Sequence, residues 1–328
     1  MTLMSSQIKA EAARLGFVAC GVTTLDPLPH GSEFDHWLRV GHAGNMRYLH
    51  RQARKRKHPQ LADRDARRAV VVLDSYYSDQ HIANKEDIST AKPDERPLAH
   101  PPMAPSTPTI ARYARGEDYH RVTLRRLEAL AGFLRQNGAT ATRAYVDTGP
   151  ISERELAQRA GLGWIGKNTM LIRPGLGSWF FIGEVLTDLA LEVAAPFTTD
   201  HCGSCTRCLD ACPTGAFVEP RVLDATRCIS YVTIEQKGEI PGNVAERLGG
   251  WAFGCDICNE VCPWNERFAA LTQVPEFRSR QELAGAGPAF FDQMEEEEFD
   301  LRFGDTALAR PGLGRMRRNW AAAWRSLP

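Results

Sequence analysis

No apolar run in the 328 residues approaches the ~18–20 that a membrane-spanning helix needs. No heptad or triplet repeat runs through the chain, which excludes coiled-coil and collagen-like rods, and 43% hydrophobic content excludes wholesale disorder. Net charge is missing too: 40 Lys+Arg offset 40 Asp+Glu. Neutrality leaves nucleic-acid binding to local patches. The opening segment MTLMSSQIKAEAARLGF has no basic stretch leading into an apolar one and no twin-arginine pair. A cytoplasmic protein without a membrane partner is therefore expected. Cysteine is nearly absent from most of the chain, since eight of the nine fall between residues 202 and 262. A reducing cytosol argues against four disulfides there, which puts metal binding first.

The length suits roughly two domains at ~100–200 residues each. Residues 5–20 have helical apolar spacing and enter a short strand, Phe17 to Val22. The run Ala69-Val70-Val71-Val72-Leu73 marks a strand buried on both faces. Six of the twenty prolines lie between Pro93 and Pro108, which excludes a regular element and suggests an exposed excursion near an active site or a mobile loop. Leu124, Leu127, Ala131 and Leu134 predict a helix over 118–136. Thr142 to Val146 reads as a strand and 150–161 as a helix opened by Pro150. Residues 168–173 and 179–187 predict a strand pair joined by the turn Pro174-Gly175-Leu176-Gly177. This mixture implies a sheet with helices on its faces. Beyond the cysteines the pattern is helical. An acidic run, Glu295–Glu298, precedes a basic tail with Arg310, Arg315, Arg317, Arg318 and Arg325.

Cys202-x2-Cys205-x2-Cys208-x3-Cys212-Pro213 matches the bacterial ferredoxin run, in which three close thiolates hold one cubane and the fourth serves the other cluster. Cys255-x2-Cys258-x3-Cys262-Pro263 repeats it with Ala252 where the first cysteine belongs. Cys228 is the one spare thiol that could stand in. One cluster then takes Cys202, Cys205, Cys208 and Cys262, and the other takes Cys212, Cys228, Cys255 and Cys258. Two zinc sites would usually show paired C-x2-C knuckles instead. Cys20, left over, reads as a small buried hydrophobe. Two 4Fe–4S clusters in series move single electrons but do no substrate chemistry themselves.

The strings Tyr145-Val146-Asp147-Thr148-Gly149-Pro150, Glu153-Arg154 and Ala160-Gly161-Leu162-Gly163-Trp164-Ile165-Gly166-Lys167-Asn168 resemble the signature of the epoxyqueuosine reductase family. So do Cys228-Ile229-Ser230-Tyr231-Val232-Thr233-Ile234-Glu235 and Gly254-Cys255-Asp256-Ile257-Cys258-Asn259. The resemblance covers about residues 5–320. It implies an α+β protein: a nitroreductase-like cobalamin-binding domain over 1–195, a ferredoxin-like module with two 4Fe–4S clusters over 196–266, and a helical region over 267–328. Family members commonly continue into further HEAT-like helices, so that last region reads as a truncated tail. The implied reaction removes the epoxide oxygen of epoxyqueuosine at the tRNA wobble position as water, giving queuosine. It needs two electrons, two protons, a cobalamin able to attack carbon and an external donor such as a flavodoxin or ferredoxin. A monomer is the default expectation.

The resemblance also assigns residues. Asp147 would be the proton donor, its acidity weakened by burial against the corrin; taken alone, it could equally cap the helix after it. Arg56, in the matching segment Arg56 to Pro59, and Leu171, Ile182, Ser230 and Asp256 would touch cobalamin beside Asp147. Lys167 could meet a phosphate, a cobalamin side chain or water. Nine Lys/Arg between 47 and 68, from Arg47 to Arg68, suit a phosphate backbone or a solvated helix face. The basic tail is similar. Trp164, Tyr231 or Trp264 could stack on a splayed wobble base. A cytosolic reductive dehalogenase-like enzyme and a non-enzymatic electron-transfer module are the alternatives. The first would have no use for a phosphate-binding surface, and the second no use for some 195 N-terminal residues.

Overall fold

A computed structural model describes residues 4–78, 105–280 and 286–327. Most of the proline-rich stretch lies outside the described residues. In chain order the elements begin with α1 (Ser5–Arg14), β1 (Ala19–Thr24), α2 (Gly31–Arg39), α3 (Arg47–Lys57), β2 (Arg68–Ser75) and β3 (Thr109–Ile110). Next come α4 (Tyr119–Gln136), β4 (Thr142–Tyr145), α5 (Glu153–Arg159), β5 (Trp164–Ile165), β6 (Leu171–Ile172) and β7 (Phe180–Thr187). The remainder holds α6 (Arg207–Asp210), β8 (Phe217–Glu219), β9 (Val222–Leu223), α7 (Ile229–Ile234), α8 (Gly242–Ala245), β10 (Trp251–Phe253), α9 (Ile257–Glu260), α10 (Pro263–Phe268), α11 (Glu296–Phe303) and α12 (Gly312–Arg325). The chain is thus mixed α/β. It divides into two compact units: residues 1–75, 119–174 and 178–203, and residues 76–118, 175–177 and 204–328.

The first unit is built on a four-stranded sheet in the order β1-β2-β7-β4, antiparallel throughout. The run Ala69–Leu73 is fully buried within β2, as its composition predicts. On one face α4 packs Leu127, Leu130 and Leu134 over Val70, Val72 and Val185, with Ile8 from α1. Gly183 is what lets α4 approach, because a Cβ there would fall 2.8 Å from Leu127. On that same face the buried Asp74 accepts hydrogen bonds from Thr123 Oγ1 (2.7 Å) and the Arg126 guanidinium. On the other face the end of α5 presses on β1: a Cβ on Gly21 would meet the Ala160 carbonyl oxygen at 2.2 Å. One row across the sheet reads Gly21, Val71, Glu184, Tyr145.

Two expectations are corrected here. Residues 168–173 and 179–187 are not a hairpin: β6 pairs with β5, while β7 enters the sheet between β2 and β4. The apolar strand Phe180–Thr187 gains two long partners and two covered faces in the sheet, which a short hairpin cannot supply. The helix after Asp147 starts at Glu153 with Ser152 at its N-cap position, so Pro150 stands outside it.

The second unit centres on Phe291, Phe299, Phe303 and Trp320, packed with Ile110 and Phe253 of the parallel pair β3 and β10. In its basic tail Arg310 and Arg325 are exposed, whereas Arg315, Arg317 and Arg318 turn onto backbone carbonyls. Arg315 donates to the carbonyls of Pro311, Ile234 and Arg310. Arg317 donates to those of Phe291 and Met294, and Arg318 to those of Val232, Gln236 and Gly238. Arg310 pairs with Glu235 at 2.5 Å. These guanidiniums satisfy carbonyls at chain ends, a need that every buried backbone has. Among the described residues no helix is long and apolar enough to cross a membrane.

Candidate functional site

In the first unit the site is the turn that ends β4. Asp147 has φ +56°, the left-handed region that few non-glycine residues adopt. The Thr148 N–H closes back on the Val146 carbonyl at 2.5 Å, a strained three-residue turn. Three contacts hold it. The Asp147 N–H donates to Glu153 Oε1. His120 Nε2 lies 3.2 Å from Asp147 Oδ2. Arg56 donates to the carbonyls of Gly149 (3.2 Å) and Ile151 (2.8 Å). The Asp147 side chain is itself half-exposed, so the chain alone does not bury it. It is an acid presented outward on a braced turn.

Behind it sit two more carboxyls. Burial, and then the nearby Asp147 charge, push Glu153 up to about 8. Glu184 is fully buried, and among the described residues neither of its carboxyl oxygens has a hydrogen-bond partner. Burial, with Glu153 and Asp147 as like-charged neighbours, drives its acidity far weaker than that of an ordinary carboxyl. An unpaired carboxylate there would be prohibitively costly, so Glu184 is a neutral acid at neutral pH. Ile182, two residues earlier, shares its face of β7 and is the one residue of that strand left partly uncovered. Leu171, by contrast, is buried in its short hairpin. Neither Glu184, Glu153's link to Asp147, nor His120 emerged from the sequence reading. An acid inside the run Phe180–Thr187 was the available signal.

The other predicted residues of this unit have settled roles. Lys167 Nζ donates to the Gly203 carbonyl at 2.6 Å. Trp164 is buried against Phe197 and His201, and its Nε1–H donates to Cys202 Sγ at 3.4 Å. It is therefore not available for base stacking. Arg47, His50, Arg51, Arg54, Lys55, Arg64 and Arg67 are exposed on and after α3. Cys20 is covered in β1, and burial pushes its thiol up to about 12.

In the second unit each cysteine run wraps a single helical turn. Cys205 precedes α6, Cys208 lies within it and Cys212 follows it. Cys255 precedes α9, Cys258 lies within it, and Cys262 caps α10. Cys228 occupies the N-cap position of α7; burial raises its thiol, and the backbone N–H groups of Tyr231 and Ser230 oppose that rise. Burial and neighbouring thiols push Cys255 and Cys258 well above the usual thiol range; the neighbours of Cys258 include Cys228, Cys208 and Cys212, and those of Cys255 include Cys258 and Cys228. Arg207, paired with Glu266 at 2.6 Å, feels both Cys205 and Cys262. Ala216 N–H donates to Cys212 Sγ at 3.3 Å. None of the nine cysteines is placed in a disulfide. Among the described residues no three His, Cys, Asp or Glu side chains converge tightly enough for a single metal ion; a cubane spreads its thiolates wider. This donor set fits iron–sulfur clusters: soft thiolates with N–H groups on sulfur, and thiols too buried to ionise without a bound cation. Beside it, Asp256 is buried and accepts from the Arg112 N–H at 2.7 Å. Ser230 is half-covered on α7, and Tyr231 is buried. Trp264 is half-exposed.

A mixed α/β chain with such a module is an iron–sulfur protein, and residues 201–265 match the family model of a 4Fe-4S double cluster binding domain. Residues 56–148 match the model described as Epoxyqueuosine reductase QueG, DUF1730. The epoxyqueuosine reductase of Cellulophaga algicola is 37% identical over 96% of this chain and 96% of its own. That of Pseudomonas aeruginosa is 37% identical over 99% of this chain and 86% of its own. An epoxyqueuosine reductase solved with an epoxyqueuosine-modified tRNA-Tyr stem loop superposes with TM-score 0.82 at 29% identity, covering 97% of this chain and 80% of that one. A Bacillus subtilis structure, solved with its catalytic aspartate loop swung out of the active site, gives TM-score 0.79 at 29% identity and the same coverage. The chain belongs to the epoxyqueuosine reductase family, and it is an oxidoreductase.

Ala252 lies in β10, fully buried in the aromatic core between Trp251 and Phe253. A thiol at that position points into packing. Cys228→Ala with Ala252→Cys is therefore expected to bind fewer than eight irons per chain, as Cys228→Ala alone does; iron analysis that finds a full complement refutes the ligand assignment. Glu184→Gln should be stabilising relative to the parent by an amount that grows with pH. Glu184 keeps its proton when folded and loses it above ~4.5 when unfolded, so the parent's stability falls by about 1.4 kcal/mol per pH unit above that point until the folded group itself ionises. Thermal unfolding from pH 5 to 8 measures the divergence; parallel curves contradict a buried acid.

Proposed function

We propose that the chain reduces epoxyqueuosine to queuosine at the wobble position of tRNA. The observation that carries the proposal is the braced, outward-facing Asp147 in a chain of this family that also holds a double-cluster module. Asp147 gives its proton to the epoxide oxygen, since an alkoxide leaves poorly unless protonated. The two 4Fe–4S clusters, on Cys202, Cys205, Cys208 and Cys262 and on Cys212, Cys228, Cys255 and Cys258, pass in single electrons from an external donor such as a flavodoxin or ferredoxin. Cys228 has Cys212, Cys255 and Cys258 as neighbours, which supports placing those four on one cluster; Cys258 also neighbours Cys208 of the other set.

Cobalamin is the proposed partner of the clusters, held by Arg56, Asp147, Leu171, Ile182, Ser230 and Asp256. When bound it supplies a low-valent metal that can attack carbon or hand on electrons. Ile182, uncovered on an otherwise buried strand, fits a large apolar ligand. Arg56 braces the turn after Asp147 and Leu171 is covered, so those two would act through the backbone they fix. By function, 1–195 is the catalytic segment, 196–266 the cluster segment and 267–328 the helical support. The exposed cations of 47–67 suit the tRNA phosphates, and Trp264 remains the candidate for stacking on the base.

Purified protein carrying both cofactor types, a chemical reductant and an epoxyqueuosine stem loop should yield queuosine, read by nucleoside mass spectrometry. Asp147→Asn should retain its iron and lose at least ~100-fold in turnover. Near-parental turnover removes Asp147 from the reaction.

A further inference from the structure

Taking the oxygen out of an epoxide as water breaks two C–O bonds, forms one C=C bond and consumes two electrons and two protons. Single electrons arrive from the clusters. Asp147 carries one proton at a time. Around the Asp147–Glu153 contact stand His120 from α4, Arg154 from α5, Glu184 from β7 and Arg56 from α3, with Tyr48 beside Arg56. The two arginines do not release protons near neutrality. Glu153 is the carboxyl in direct contact with the Asp147 backbone. Behind it, Glu184 makes no hydrogen bond among the described residues. Leucine would fill the same place in the sheet at less cost, yet an acid stands there.

We propose that Glu153 supplies the second proton, passing it to the Asp147 carboxylate once Asp147 has protonated the epoxide oxygen, with Glu184 as the reserve acid behind it. This deepens the function proposed above and rests on it. Glu153 is then both a positioning residue, through its bond from the Asp147 N–H, and a proton source. Asp147 returns to the acid form and delivers the second proton, water leaves, and solvent refills Glu153 after product release.

Glu153→Gln separates the two roles, because the amide oxygen still accepts the Asp147 N–H but has no acidic proton to give. Single-turnover rates on the stem loop should fall above about pH 8 in the parent. In Glu153→Gln they should be at least ~10-fold lower and lack that limb, with KM and iron content unchanged. Infrared difference spectra should show a protonated-carboxyl band that titrates near pH 8, present in the parent and lost in Glu153→Gln whether or not substrate is turned over. Glu153→Asp should recover the limb and part of the rate. An active parent matched in rate and profile by Glu153→Gln overturns the assignment. A slow Glu153→Gln that keeps the limb also overturns it, in favour of His120. A parent inert toward the stem loop while the band titrates overturns instead the function proposed above.

Discussion

The constraint on which the second unit depends is that seven cysteines, from Cys205 to Cys262, are brought from three stretches of chain to places they would not choose on their own. Buried thiols packed beside one another repel as soon as they ionise, and only a bound cationic cluster reverses that sign. The unit therefore has to hold them from outside. It does so with short helices that have a cysteine at or next to the N-cap, Cys205 before α6, Cys228 at α7, Cys255 before α9 and Cys262 at α10. Around them, aromatic packing and arginine-to-carbonyl bonds fix the ends of those turns. Arg318 on the carbonyls of Val232, Gln236 and Gly238 shows the device, as does Asn319, whose side chain donates to Thr233 O at 2.7 Å.

The first unit meets the opposite problem, which is to keep protons rather than lose them. A buried row across an antiparallel sheet ends beside a strained turn, and the charged groups nearby are arranged so that acids stay neutral. Asp147 faces outward, while Glu153 and Glu184 recede step by step into lower dielectric. Environments that separate carboxyl acidities in this way are how one site holds both an acid and its refill.

Much of this was legible in the residues. Ligand spacing is a local property, so the cysteine runs of the double-cluster domain could be read directly. The β-branched run of β2 and the helical spacing of α4 were equally plain. Pairing was not: Pro174–Gly177 looks like a hairpin turn, yet β7 found its partners far off in sequence, where the larger apolar faces were. Composition also cannot tell whether a guanidinium faces water or a carbonyl, and so Arg315, Arg317 and Arg318 resembled a nucleic-acid surface. Trp164 and Tyr231 looked like stacking platforms until burial removed them. Glu184 carried its own warning as an acid in an apolar strand, but its meaning depends on Glu153 and Asp147, which come together only in the fold.

The central claim is the substrate, and the wobble nucleosides of the cell report on it most directly. Mass spectrometry of tRNA from cells lacking this gene should show epoxyqueuosine accumulating, with queuosine restored when the gene is returned. Undiminished queuosine in those cells, with no second copy of the enzyme present, would contradict the account.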